Sequence, residues 1–278
     1  MPGVKVNGVS LAVHEWSGKG PAIVCIHGLT ANHTCWASIA DILSPDYRLI
    51  AFDLRGRGES DKPEKGYSLE VHCQDVAGLL DHFGLKRAVI MGHSLGAHIG
   101  VCFAARFPQR VSKLVLVDGG IDVRAEILDS LAPAINRLGI EFPSMDAFLQ
   151  LLQGLPMFAG RWNDYLERYF RYDVEVLPTG AVRSKVARPA IEEELTNLAR
   201  ERLWVYHHRV TCPTLIFRAP DGLLTATDCL MTQEEAEAMA HAIRRSKLVV
   251  VPNTNHYTVL LGKNPKVKTA LRAFLKAR

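Results

Sequence analysis

The chain has 278 residues, 48% of them apolar, and a formal net charge of +4, which is the composition of an ordinary globular protein. Its basic residues form no concentrated face and no nucleic-acid-binding motif, so we expect no nucleic-acid partner. No stretch approaches the roughly 18 apolar residues that cross a bilayer, and no signal-peptide pattern is present, so we expect a cytoplasmic protein without a membrane span. The six cysteines lack C-x-x-C and metal spacing, which favours reduced thiols.

Short, nearly continuous apolar runs recur along the chain after an Asn7-Gly8 hairpin signal. They are Ala22–His27, Tyr47–Asp53, Arg87–Met91, Lys113–Asp118, Thr214–Phe217 and Lys247–Val251. Strands that are apolar on both faces belong in a sheet covered on both sides. Segments with helical spacing lie between them, at Trp36–Leu43, Leu69–Phe83, Ala97–Phe107, Gln233–Ile243 and Pro265–Ala277. The alternation predicts an α/β fold with a doubly wound, mostly parallel sheet.

The alternation stops between Asp122 and about Tyr206, where the sequence shows no clear strand. Four helix-like pieces fill this stretch: Arg124–Leu138, Met145–Leu152, Trp162–Tyr169 and Ala190–Trp204. We therefore expect a core made of residues 1–121 and 207–278 and a helical cap, or lid, made of residues 122–206. Because the stretch is rich in large apolar side chains, Phe158 and Trp162 among them, we expect it to set the substrate range.

A G-x-S-x-G motif, Gly92-His93-Ser94-Leu95-Gly96, stands between the predicted strand Arg87–Met91 and the predicted helix Ala97–Phe107. In this context the motif forms a sharp turn that exposes the serine hydroxyl, and its glycines relieve the crowding. The backbone N–H of Leu95, where the helix starts, is then placed to donate to an oxyanion. The sequence therefore predicts Ser94 as a nucleophile.

A second feature, His27-Gly28-Leu29, ends the strand Ala22–His27. Gly28 lets the chain bend close to the nucleophile, and the N–H of Leu29 is the natural second oxyanion donor. We expect His27 to brace this loop by a hydrogen bond. Since no third ligand stands at metal spacing from His27 and His93, we expect no metal, and the chemistry requires no organic cofactor.

A serine nucleophile needs a general base, because a free hydroxyl is a poor nucleophile at neutral pH. His256 ends the loop that follows the predicted strand Lys247–Val251. That placement puts His256 at the carboxyl edge of the sheet, where Ser94 also lies. Other candidates fit less well, since they stand in the first hairpin (His14), in helical patterns (His72, His82 and His241), beside the elbow (His93 and His98) or at the end of the insertion (His207 and His208). We therefore predict His256 as the base.

The base in turn needs a carboxylate that orients it and stabilises its charged form. The loop Arg218–Met231 offers two carboxylates. Asp221 lies nearer the end of the strand, and Asp228 lies just before the next predicted helix. We predict Asp228, with Asp221 as the alternative and Asp118, at the end of the strand Lys113–Asp118, as a third possibility.

The order Ser94, acid, His256, with the His-Gly loop and the segment Asp53–Ser60 (DLRGRGES), resembles the α/β-hydrolase superfamily. It is similar in particular to esterase- and lipase-like members with a helical cap, over nearly the whole chain except the cap. In that family the DLRGRGES-type loop is structural, and an Asp before the penultimate helix is a frequent triad acid. Asp228-Cys229-Leu230 resembles this pattern with Cys in place of the usual Pro, although the family loop is generally shorter.

The resemblance also narrows the chemistry. Haloalkane dehalogenases and epoxide hydrolases of this fold use Asp at the elbow, and Ser94 argues against both. What remains is hydrolysis of a carboxylic ester, lactone or thioester through an acyl-Ser94 intermediate, with C–C bond hydrolysis as an alternative. A hydrolase-like small-molecule receptor is the alternative from another class. The apolar insertion predicts an uncharged, moderately hydrophobic acyl substrate.

Overall fold

The computed structural model describes residues 3–124 and 127–277, without the side chains at positions 128 and 129. Its strands are β1 (Gly3–Val6), β2 (Val9–Trp16), β3 (Ala22–Ile26), β4 (Arg48–Phe52), β5 (Ala88–His93), β6 (Val111–Val117), β7 (Glu141–Phe142), β8 (Val174–Val176), β9 (Val182–Ser184), β10 (Thr214–Arg218) and β11 (Ser246–Val250). Within the described residues, eight strands form one sheet in the order β1-β2-β4-β3-β5-β6-β10-β11. The pairs β1–β2 and β2–β4 are antiparallel, and every later neighbour is parallel, which confirms a mostly parallel sheet.

The helices flank this sheet or belong to the insertion. They are α1 (Ala37–Leu43), α2 (Leu69–His82), α3 (Leu95–Arg106), α4 (Ile127–Asn136), α5 (Met145–Gln153), α6 (Asp164–Asp173), α7 (Arg188–Leu198), α8 (Trp204–His207), α9 (Gln233–Ala242) and α10 (Pro265–Lys276). Local sequence determines several starts. The Ser68 hydroxyl accepts the N–H of Val71 where α2 begins, and Thr232 and Glu235 form a capping box at α9.

Two hydrophobic cores, one on each face of the sheet, explain the continuous apolar strands. In β3, Val24 and Ile26 pack in one core, whereas Ile23 and Cys25 pack in the other. Successive side chains of a strand point to opposite faces, so a strand covered on both sides must be apolar throughout. This arrangement buries the strands and leaves their carboxyl ends, with the loops that follow, to build a site.

The insertion (residues 122–206) lies between β6 and β10 and contains α4 to α7 and the first three residues of α8. It also contains a three-stranded antiparallel sheet in the order β7-β9-β8, so the expectation of no strand here is wrong. Strands of two or three residues are too short to show a period-2 pattern. The helix predicted from Arg124 is observed from Ile127, and positions 125 and 126 lie outside the described residues. The helix predicted over Ala190–Trp204 is divided into α7 and α8.

The cysteines lie in the protein interior. All six are buried and free, and burial raises the pKa of the Cys25 thiol far above its usual range. They therefore act as small apolar side chains. Among the helices of residues 3–124 and 127–277, none combines the length and the apolar character that crossing a membrane requires.

Candidate active site

Ser94 occupies the sharp turn between β5 and α3, with φ 55° and ψ −120°. This conformation is costly for a residue that carries a side chain, and the surrounding packing maintains it. A Cβ atom on Gly92 would lie 2.0 Å from the carbonyl oxygen of Gly96, and one on Gly96 would lie 1.9 Å from that of Ile26. Only glycine fits at both positions, which accounts for the spacing of the motif.

The imidazole of His256 is hydrogen-bonded to the carboxylate of Asp118. Its Nδ1 lies 2.8 Å from Oδ2 of Asp118, and both side chains are buried. The other oxygen of Asp118 accepts the N–H of Ala219 at 3.0 Å. His93 supports the loop that carries His256, since Nε2 of His93 donates to the carbonyl oxygen of His256 at 2.8 Å. With Nδ1 engaged, Nε2 is the ring nitrogen left for a second partner, and His256 lines the same cavity as Ser94.

The contact predicted between Asp228 and His256 is not formed, so that prediction is wrong. Asp228 instead accepts four hydrogen bonds, from the N–H groups of Leu223, Leu224 and Thr225 and from the hydroxyl of Ser130. Burial alone would raise the pKa of this carboxyl, but the hydrogen bonds lower it below its usual range. Asp221 is likewise engaged elsewhere, in an ion pair of 2.7 Å with Arg161 of the insertion. In the long loop after β10, Asp228 therefore stabilises the loop itself, and Asp221 joins the loop to the insertion.

A short signal in the sequence marks the carboxylate that does reach the imidazole. Asp118 is followed by Gly119 and Gly120 directly after β6, the neighbour of the nucleophile strand. Asp118 has a φ of 46°, and a Cβ atom on Gly119 would lie 2.7 Å from the carbonyl oxygen of Ser94. The glycine therefore lets the chain pass against the elbow while the carboxylate turns toward His256.

The loop after β3 passes beside the nucleophile. A Cβ atom on Gly28 would lie 3.1 Å from Cβ of Ser94. His27 braces this loop as expected, since its Nδ1 donates to the carbonyl oxygen of Gly28 at 2.8 Å and its Nε2 accepts the N–H of Leu54 at 2.9 Å. Burial lowers the pKa of His27 to about 4, which keeps the ring neutral at physiological pH.

The cavity beside the nucleophile has two arms, and the arms meet at Ser94. Both arms are lined by Ser94, Leu29 and Leu131. Leu95 lines one arm, so both residues whose N–H groups we predict as oxyanion donors line the cavity beside the nucleophile. The insertion contributes part of the apolar lining, including Leu131, Ala134, Ile135, Tyr169, Leu195 and Leu198. In the described part of the chain, no three His, Cys, Asp or Glu residues are grouped to hold a metal ion.

Two aromatic side chains of the insertion, Phe158 and Trp162, lie away from the cavity, although we expected them to help set the substrate range. Phe158 and Trp162 pack on Phe170, with ring centroids 5.4 and 5.8 Å from it. Neither lines an arm of the cavity among the described residues. These rings lie in the interior of the insertion. The side chains that face the cavity instead are Tyr169 and aliphatic residues such as Leu131 and Ile135.

His98 is a polar group in the second arm of the cavity, which Ser94, Asp118, Asp122 and Arg124 also line. Nδ1 of His98 lies 2.7 Å from the carbonyl oxygen of Ser94, to which it donates. Its Nε2 is buried and has no hydrogen-bond partner among the described residues. Burial lowers the pKa of His98 to about 4, so the ring is neutral and Nε2 is an acceptor.

Comparison with known proteins agrees with this architecture. Residues 21–263 match a family model described as alpha/beta hydrolase fold. The chain is 30% identical over 263 residues to 2-(acetamidomethylene)succinate hydrolase of Mesorhizobium japonicum, covering 91% of this chain and 87% of that protein. A crystal structure of E-2-(acetamidomethylene)succinate hydrolase superposes with a TM-score of 0.84 at 28% identity, covering 97% and 96% of the two chains.

A third relative matches part of the chain. It is a 2-hydroxy-6-oxononadienedioate/2-hydroxy-6-oxononatrienedioate hydrolase of Burkholderia vietnamiensis, 37% identical over 121 residues that cover 41% of this chain and 42% of that protein. The match of the family model over most of the chain, together with the site at the sheet edge, shows a hydrolase. This chain belongs to the alpha/beta hydrolase family.

Proposed function

We propose that this chain is a serine hydrolase that cleaves a carboxylic ester, or a lactone or thioester, through an acyl-Ser94 intermediate. One observation carries the proposal. Nδ1 of His256 is hydrogen-bonded to Oδ2 of Asp118 at 2.8 Å, and His256 lines the same cavity as Ser94. Asp118 takes the role that the sequence suggested for Asp228. Ser94, His256 and Asp118 then have the roles of nucleophile, base and acid in a catalytic triad.

In the first half of the reaction, the Ser94 hydroxyl attacks the substrate carbonyl carbon and gives its proton to Nε2 of His256. Asp118 holds the opposite side of the ring and stabilises the imidazolium. The carbonyl oxygen becomes an oxyanion that accepts hydrogen bonds from the N–H groups of Leu29 and Leu95. When the tetrahedral intermediate collapses, His256 protonates the departing alkoxide, thiolate or ring oxygen.

In the second half, water attacks the acyl-Ser94 carbonyl while His256 accepts a proton from it. Collapse of the second tetrahedral intermediate returns that proton to the Ser94 oxygen and releases the carboxylic acid. The buried, hydrogen-bonded Asp118 keeps the ring in the same tautomer throughout. Removal of a triad member of this kind costs several orders of magnitude in kcat.

The lining of the cavity supports an uncharged substrate. Leu is the commonest residue in its described walls. Each charged residue that lines the second arm has a partner: Arg124 pairs with Glu235, Nε to Oε1 2.9 Å, Asp118 with His256, and Asp122 accepts the N–H of Leu203. A substrate hydroxyl or amide N–H in that arm would find an acceptor in Nε2 of His98. We therefore propose a moderately hydrophobic acyl substrate, with the insertion acting as a lid over it.

The relatives support a second candidate within the same catalytic machinery. The relative that covers most of this chain hydrolyses a compound that contains an acetamido group, and another relative is a hydrolase of oxo-dienedioates. Amide or C–C bond cleavage by Ser94 is the alternative to ester cleavage. The leaving group distinguishes the candidates, since each uses the same nucleophile and base.

The test combines a covalent probe with a substrate panel. A fluorophosphonate should add its mass to the peptide that contains Ser94, and Ser94→Ala should remove both labelling and turnover. Ser17→Ala, at an exposed serine, is the matched control and should change neither. Neutral p-nitrophenyl esters, lactones, thioesters, N-acyl enamides and dienones are then compared by kcat/KM. Labelling of another serine would refute the site, and preference for an amide or a dienone would select the second candidate.

A further inference from the structure

Two buried guanidinium groups hold the loop that carries the proposed oxyanion donor. Nε of Arg57 donates to the carbonyl oxygen of Leu29 at 2.9 Å, and Nη2 of Arg137 donates to that of Thr30 at 3.3 Å. Arg57 and Arg137 are 0% and 7% exposed. Two consecutive peptide planes of this loop are therefore oriented by cations that approach from outside it.

Each cation is paired with a carboxylate that the insertion supplies. Nη2 of Arg57 is bonded to Glu194, in the middle of α7. Nη1 of Arg137 is bonded to Asp173, the last residue of α6. Glu194 and Asp173 are 1% and 2% exposed, so neither pair is a solvated surface contact.

Further hydrogen bonds fix both carboxylates. The second oxygen of Glu194 is bonded to Nε2 of His72 at 2.8 Å, and Asp173 accepts the Ser184 hydroxyl at 3.1 Å. Burial alone would raise the pKa of Glu194, but its neighbours His72 and Arg57 lower it to about 2. The carboxylate is thus ionised wherever the enzyme would be assayed.

The energetics of such pairs favour a positioning role. Removing two charges from water is unfavourable, and a buried ion pair often contributes no more stability than apolar residues of the same volume. What it does provide is one defined geometry. The N–H of Leu29 belongs to the Gly28–Leu29 peptide plane, which directly precedes the Leu29–Thr30 plane that Arg57 holds. Because this N–H must point at the position of a developing oxyanion, an orientation error passed on from the neighbouring plane weakens the transition state more than the bound substrate.

We propose that Glu194 and Asp173 are positioning residues through which the insertion fixes the oxyanion loop. Glu194 acts on Leu29 through Arg57, and Asp173 acts on Thr30 through Arg137. This inference rests on the proposed function, since it assigns Leu29 as an oxyanion donor. The lid then does more than shape the cavity: its α6 and α7 complete the catalytic geometry.

The test uses Glu194→Gln and Asp173→Asn in the full chain. Each variant should lower kcat for a neutral p-nitrophenyl ester by about 10- to 100-fold, less than complete loss of an oxyanion donor, with KM within about twofold. The affinity for a boronic acid, which forms a tetrahedral adduct on the serine, should fall in parallel with kcat/KM. A merely structural role would lower Tm and leave both quantities unchanged in the folded enzyme.

Two further variants make the result specific. Glu192→Gln is the matched control, because Glu192 lies on the same helix in an exposed ion pair of 3.0 Å with Arg188; it should leave kcat unchanged. Arg137→Lys retains the charge but loses the second donor, and should give a smaller loss of kcat, about fivefold. It also serves if a carboxylate variant does not fold.

The outcomes separate the two proposals. A wild-type enzyme that neither labels at Ser94 nor turns over esters would refute the proposed function itself. An active wild type with folded Glu194→Gln, Asp173→Asn or Arg137→Lys at wild-type kcat would refute the positioning role alone. An equal loss in Glu192→Gln would also refute it, since the effect would then come from helix α7 as a whole.

Discussion

The loops after β6 and after β10 both bring aspartates to the carboxyl edge of the sheet, yet only one of them serves the imidazole. In the short loop after β6, Asp118 turns directly to His256. In the long loop after β10, Asp228 is surrounded by the N–H groups of its own loop. A carboxylate at this edge of the sheet is available to the imidazole only where the N–H groups of its own loop do not already bind it.

The largest effect should come from Asp118→Asn. An amide cannot stabilise the imidazolium and does not enforce the same tautomer, so kcat should fall by about 10⁴ with the fold intact. Steady-state kinetics together with a circular-dichroism melt would measure this. A loss below about tenfold would show that the observed contact does not serve catalysis.

A second, smaller effect is expected from adding a methyl group at Gly119. The new Cβ atom would lie 2.7 Å from the carbonyl oxygen of Ser94, a backbone atom that cannot move aside, so the elbow must shift. Displacements of this kind cost about 10² in rate. Gly222→Ala is the control in the other loop, because its Cβ atom would lie 2.2 Å from Oδ1 of Asp228. It should disturb that loop with less than a tenfold loss of kcat.

Asp228→Asn should change stability more than catalysis. The carboxylate accepts four hydrogen bonds that an amide cannot fully accept, so Tm should fall by several degrees while kcat falls less than tenfold. Since folding lowers the pKa of Asp228, its contribution is complete above the unfolded pKa of about 4 and is lost as pH falls further. The two melting curves should therefore converge in acid. A 10⁴-fold loss of kcat would restore Asp228 as the triad acid.

The smallest effect should be that of Asp221→Asn. The pair that Asp221 forms with Arg161 is partly exposed, with about a third of each side chain accessible. Pairs of this kind contribute about 0–1 kcal/mol. We expect kcat within about twofold of wild type and a Tm change near the error of the measurement. A large loss of activity would mean that the contact between insertion and loop controls the cavity.

The sequence by itself determined the parts of this protein that depend on local physics. Periodicity predicted the sheet and its flanking helices, because strands with two covered faces must be apolar at every position. The elbow followed from glycines at Gly92 and Gly96, where any larger residue would overlap backbone atoms. His256 followed from its place after the last strand, since the carboxyl ends of parallel strands share one edge.

Only the tertiary structure decided which carboxylate reaches that histidine and how the insertion meets the core. Asp118, Asp221 and Asp228 all stand in loops at the same edge, and hydrogen bonds between distant segments decide among them. Arg57 and Glu194 are 137 positions apart in the sequence, so no local sequence pattern predicts their pairing. Long-range contacts of this kind depend on how loops close and helices dock, which spacing along a single chain does not record.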